Sequence, residues 1–192
     1  MQARRRTVAV GLDVRAQMDG ADSLPVFAYG TLKQGFHNHA AYCRGARDLI
    51  PAETWGRLYI WQPGIPILQV PDDRILLSGT RHLAGDLEAA KRMTPDAKHQ
   101  AKSPGRGWRR IQGEVIVFPD AEPRMKLLDA FEGVHPAPSA RTYDRVLLPV
   151  RLRESRKGLP EWMAAWCYIL PPFADEPDER VDTDCWQPGM GA

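Results

Sequence analysis

The sequence predicts an α+β fold: six strands that form a curled mixed sheet or a small barrel, with one or two packed helices. Three observations carry that expectation. Residues 24–29, 54–61, 66–70, 111–118, 143–152 and 161–170 are rich in β-branched and aromatic residues and bounded by Gly or Pro, the signature of strands. Helical patterns are few, whereas a doubly wound parallel sheet would need a crossover helix between most of its strands. The chain has 192 residues, 43% of them hydrophobic, enough for one sizeable core and too few for two.

The first strand lies in "SLPVFAYG", where a dense apolar run follows Pro25 and stops at Gly30. The domain therefore spans 24–170, after an N-terminal extension of residues 1–23. Short helices are expected over 38–44 and 83–93. The second of these falls in a stretch of about 78–110, rich in Lys, Arg, Gly and Pro with little apolar period, which reads as a partly ordered insertion. The best helix is in "AEPRMKLLDAFEG": Pro123 suits a first turn, Met125, Leu128 and Phe131 share a face, and Gly133 can supply a left-handed stop. In "YDRVLLPVRL", Val146, Leu148, Val150 and Leu152 alternate onto one face. In "EWMAAWCYIL" both faces are apolar, so the last strand is expected to be buried on both sides. Residues 171–192 form an acidic, proline-rich tail without strand or helix period. A tail free of the domain and one wrapped over it through Phe173 and Trp186 both fit that composition.

Composition excludes several function classes. With 26 basic and 24 acidic side chains, a net charge of +2 creates no global field to recruit nucleic acid, an anionic membrane or an acidic partner. Cys43, Cys167 and Cys185 are odd in number and far apart, giving neither a disulfide framework nor a metal-ligand spacing. No apolar run reaches the roughly 20 residues that cross a bilayer. Arg4, Arg5 and Arg6 precede only a short apolar stretch, a poor secretory signal. A cytoplasmic protein is expected, its oligomeric state open.

Two local features can carry chemistry. At Tyr29 a strand runs directly into Gly30, Thr31 and Leu32, and such a turn exposes consecutive backbone N–H groups that no ladder satisfies. These can hold a carboxylate or a developing oxyanion. Glu132 closes the best helix, where the negative end of the helix dipole raises the proton affinity of an enclosed carboxyl. Each also has a plain structural reading, as a glycine turn and as a solvated acid. Asp129, one turn earlier, reads as a capping or surface partner.

"FAYGTLKQGFHNH", "GRLY" with "PGIPIL", "LLDAFEG" and "YDRV" occur in an order and spacing that resembles the gamma-glutamylcyclotransferase-like family, including its AIG2-like and gamma-glutamylamine cyclotransferase branches. The likeness runs from Val26 to about Tyr168, interrupted by the insertion. It implies a small mixed six-stranded β-barrel with one to three packed helices, whose pocket is built by Tyr29, Gly30, Thr31 and Leu32, with Glu132 as the catalytic carboxylate. Gly64, Ile65, Pro66, Ile67 and Leu68 would line the pocket wall, Tyr143 would be a pocket neighbour, and Arg145 would be structural. His37 and His39, near the family's Asn-His, read as scaffold. The implied reaction is intramolecular attack of a substrate's α-amine on its own γ-carbonyl, releasing 5-oxoproline and an amine or amino acid, with no metal or cofactor. The implied partner is a small γ-glutamyl molecule, with no nucleic acid and no membrane. Two alternatives are a related fold acting on another γ-linked acyl product, and a catalytically idle binding module that uses the basic insertion.

Overall fold

The computed structural model describes residues 22–62, 64–96, 103–134, 143–155, 158–170, 179–187 and 189–190. Among them are eight strands: β1 (Leu24–Ala28), β2 (Asp48–Gln62), β3 (Ile65–Gln69), β4 (Leu77–Ser78), β5 (Arg109–Phe118), β6 (Asp144–Leu152), β7 (Trp162–Ile169) and β8 (Glu179–Val181). Three α-helices accompany them: α1 (His37–Tyr42), α2 (Leu83–Ala90) and α3 (Ala121–Glu132).

Of the curled sheet and the small barrel that the strand pattern allows, the barrel forms, as the family resemblance implies. Its ring runs β2-β5-β1-β7-β6 and closes where β6 pairs again with β2, Ala52 opposite Leu152. The β1–β7 pair is parallel and the rest of the ring is antiparallel. β2, at 15 residues, outruns the ring, and its second half pairs with β3 on one side and β8 on the other. All six predicted strands form, and β3 extends the wall beside the closed ring.

Alternation along the strands separates two apolar layers. Val146, Leu148 and Val150 of β6, with Ala165, Cys167 and Ile169 of β7, fill the barrel. On the outer face, Trp166 and Tyr168 of β7 pack with Val26 and Ala28 of β1 under α3, which contributes the fully buried Met125 and Leu128. Each such side chain contributes about 1.5–3 kcal/mol on burial. β7 is thus apolar on both faces because helices cover its outside.

Two segments are more ordered than their composition suggests. Within the stretch expected to be an insertion, β4 pairs with β6, and α2 packs against α3. The anchor there is a buried ion pair, Asp86 with Arg145 at 2.5 Å, which leaves no apolar period to read. In the tail, β8 pairs with β2, the Asp184 carbonyl accepts from the Gln112 N–H at 2.6 Å, and Trp186 is 2% exposed inside the barrel core. Of the two readings of the tail, the wrapped one describes Trp186; Phe173 lies outside the described residues.

Candidate active site

β1 ends at Ala28, and the chain leaves the barrel rim through Tyr29, Gly30, Thr31 and Leu32. The Lys33 N–H donates to the Gly30 carbonyl at 3.1 Å and closes the turn. α1 then props it from behind: Asn38 Nδ2 donates to Thr31 Oγ1 at 3.0 Å, and the His39 Nδ1–H donates to the Leu32 carbonyl at 2.8 Å. These bonds give His39 the scaffold part expected of it. Among the described residues, the N–H groups of Thr31 and Leu32 donate to no backbone carbonyl, which leaves them available to an anion.

Gly30 is required by closeness and not by a left-handed backbone. A Cβ at this position would stand 2.7 Å from Pro66 Cγ, inside any tolerable contact. Gly30→Val should therefore drive the turn away from Pro66. We expect a loss of about 1–3 kcal/mol in urea unfolding and roughly 10²-fold in turnover, the usual consequence of an ångström of misplacement. An unchanged midpoint together with unchanged turnover would remove the constraint.

The acid comes from α3. Gly133, with φ 70°, ends the helix in the left-handed conformation, and the Val134 N–H returns to the Asp129 carbonyl at 2.9 Å. This stop fixes Glu132 in the last helical turn, facing the cleft. Burial pushes its carboxyl up to about 7 from the ordinary 4.5. Burial, followed by the Glu132 charge, also raises the Tyr143 hydroxyl. Tyr29 is raised in turn by burial, by Tyr143, by Cys167 and by Glu132. At neutral pH, then, a carboxyl poised between its two forms stands among phenols that remain protonated.

The turn and the acid meet across one cleft. Tyr29, Gly30, Thr31, Leu32, Pro66, Glu132 and Tyr143 all line it. Its enclosed part is about 50 Å³, space for a few water-sized groups, so only the reacting end of a ligand fits inside. A larger hollow of about 620 Å³ lies between α2 and the starts of β1 and β7, and contains neither the turn nor Glu132. Size here does not mark the chemistry.

The sequence profile described as "Gamma-glutamyl cyclotransferase, AIG2-like" matches residues 26–93 and 76–188, most of the chain. The chain belongs to that family. Among solved structures, this cyclotransferase-family chain is similar to an AIG2-like protein from Mus musculus, at 20% identity over 86% of this chain and 89% of that one, with a TM-score of 0.49. It is also similar to YkqA from Bacillus subtilis, at 18% identity and a TM-score of 0.48, covering 85% of this chain and 39% of YkqA. No curated protein matches it.

In this family member, three residues expected on the pocket wall lie elsewhere. Gly64 is exposed in the β2–β3 turn at φ 78°, Ile67 is buried outside the cleft lining, and Leu68 is fully buried in the barrel core. Ile65 and Pro66, expected on the same wall, do line the cleft. Phe27, Ala28 and Tyr168 complete the lining, none of them singled out by motif. Tyr168 could have been found only from register. The parallel pairing aligns Val26 with Trp166, and the next same-face residues, Ala28 and Tyr168, both reach the cleft. Among the described residues, no group of three or more His, Cys, Asp or Glu side chains could hold a metal ion, and no helix is long and apolar enough to cross a membrane.

Proposed function

We propose that the protein is a gamma-glutamyl cyclotransferase that closes the glutamyl unit of a small γ-glutamyl substrate into 5-oxoproline and expels an amine or amino acid. One observation carries this reading: an enclosed carboxyl, Glu132, held near neutrality across a narrow cleft from the amide-bearing turn at Thr31 and Leu32. The substrate holds both reacting groups, so the site has to select the folded-back conformer and manage protons. Ionised Glu132 takes a proton from the α-ammonium, and the freed amine attacks the γ-carbonyl carbon. As the bond to the leaving nitrogen breaks, Glu132 returns that proton to it, and the ionised carboxylate then takes the second proton from the ring nitrogen and releases it to solvent. The turn's N–H groups bind the negative oxygen of the tetrahedral intermediate or the α-carboxylate. Tyr29, kept protonated, can donate to the same anions, while the Tyr143 hydroxyl donates to the Pro66 carbonyl at 3.5 Å on the cleft wall. The small enclosed volume leaves the departing group at the mouth, consistent with recognition centred on the glutamyl end. The reading places the protein in the cytoplasm, where γ-glutamyl metabolites are made.

The test is 5-oxoproline release from a panel of γ-glutamyl peptides, γ-glutamyl amines and glutathione. Absence of the lactam from every compound would end the reading. For an active substrate, kcat/KM should rise with pH through an acid limb near 7, because only ionised Glu132 can accept the ammonium proton. A profile flat between pH 5 and 8 would assign the proton transfer to another group.

A further inference from the structure

Arg145 is 2% exposed, and its guanidinium joins three elements outside the cleft. Nη2 donates to Asp86 Oδ2 at 2.5 Å and to the Thr80 carbonyl at 2.9 Å, Nη1 donates to Asp129 Oδ2, and the group lies 5.5 Å from the Trp166 ring. Asp86, itself 5% exposed, accepts from the Thr80 N–H at 2.6 Å and from the Thr80 hydroxyl at 2.8 Å. The second oxygen of Asp129 accepts from the Tyr168 hydroxyl at 2.8 Å.

Asp129 precedes Glu132 by three residues, so the two share a side of α3. A chain of charge-assisted bonds therefore runs from the insertion, through β6, to the last turn of α3 and on to Tyr168. Its end at Tyr168 lines the cleft, as does Glu132, which stands one turn beyond Asp129 on α3. The fully buried apolar anchors of α3 are Met125 and Leu128, both upstream of Asp129. Beyond them the last turn is held by Phe131 against Tyr42, ring centroids 3.8 Å apart, and by the Asp129 carboxylate. A buried ion pair adds little net stability over an apolar substitute, but the planar fork of an arginine fixes orientation.

We propose that Asp86 and Arg145 are positioning residues for Glu132: the insertion clamps Arg145, and Arg145 sets the last turn of α3 against the cleft through Asp129. The proposal rests on Glu132 being the proton carrier. It gives the first half of the insertion a part in the reaction, although the insertion contributes no lining residue to the cleft.

The test uses the full chain, with Asp86→Asn, the milder Thr80→Val, and Asp86→Glu as the conservative variant. Two quantities are read: kcat and KM for 5-oxoproline formation, and the titration of the Glu132 carboxyl carbon by NMR in the ligand-free protein. The groups facing Glu132 are Tyr29, Cys43, Tyr143, Cys167 and Tyr168, all protonated near neutral pH, so in Thr80→Val, which changes no charge, the titration reports the placement of Glu132 itself. We expect kcat to fall about tenfold in Asp86→Asn, with KM within about twofold and partial recovery in Asp86→Glu. The Glu132 midpoint should fall toward the ordinary carboxylate range, since a loosened turn admits water and loss of the Asp86 charge favours ionisation in the same direction. Should Asp86→Asn fail to fold, Thr80→Val decides alone. A folded variant with unchanged kcat and an unchanged Glu132 titration overturns the proposal. If the wild-type protein makes no 5-oxoproline, the functional reading falls, and the NMR titration of the charge-neutral Thr80→Val decides the positioning.

Discussion

Replacement of Glu132 by Gln should leave the fold intact and lower kcat by roughly 10² to 10⁴, the loss expected when a general acid–base is removed. The amide keeps the shape of the side chain and its place in the last turn of α3, but it can neither accept the ammonium proton nor return it. The same substitution should raise stability at pH 8. The carboxyl binds its proton more tightly in the folded chain, near 7, than in the unfolded chain, near 4.5. Folding therefore takes up a proton between those values, and the contribution of Glu132 to stability is lost as pH rises through that window. Gln carries no charge to bury, so at pH 8 the variant should gain up to about 3 kcal/mol over the wild type and at pH 4 almost nothing. Urea unfolding at both pH values, beside a 5-oxoproline assay, gives the pattern. Full turnover in the variant would remove Glu132 from the mechanism, and equal stability at pH 8 would place its carboxyl in water.

The second large effect lies far from the chemistry. Trp186→Ala should cost about 3–5 kcal/mol, as large-to-small changes in a closed core do, and lower the melting midpoint by about 10–15 °C. Trp186 packs inside the barrel among the same residues as Tyr29, and its carbonyl accepts from Lys33 Nζ at 2.5 Å, next to the cleft turn. Activity should fall as well, because the variant loosens the residue that follows Leu32. A melting midpoint within a degree or two of the wild type would show that the barrel closes without it.

The parts of this molecule that were legible in the sequence are those encoded over a few neighbouring residues. Gly30 and Gly133 announce a turn and a helix stop, so the two halves of the cleft could be named before their meeting was known. The alternation in β6 and β7 assigned their faces correctly for the same reason. Register is another matter. Pro66 and Ile67 are adjacent in sequence and point opposite ways, and choosing between them requires knowing which face of β3 meets the turn. Tyr168 needed the parallel pairing of β1 with β7, a contact across most of the chain. Asp86 was hidden for a third reason. It is a single anchor within polar surroundings, so no period exists to reveal it. Trp186 could be named as an anchor, but the tail's composition did not choose the wrapped path over the free one.

The ring also dictates an order of assembly. β1 finds one neighbour at Phe118, opposite Leu24, and the other at Trp166, beside Val26. Until both distant strands arrive, the earliest strand has two bare edges and an apolar face with nothing to cover it. Contacts this remote make ring closure late and slow, on the millisecond-to-second scale of non-local β topologies, and the half-made chain meanwhile offers neighbouring chains a template for pairing.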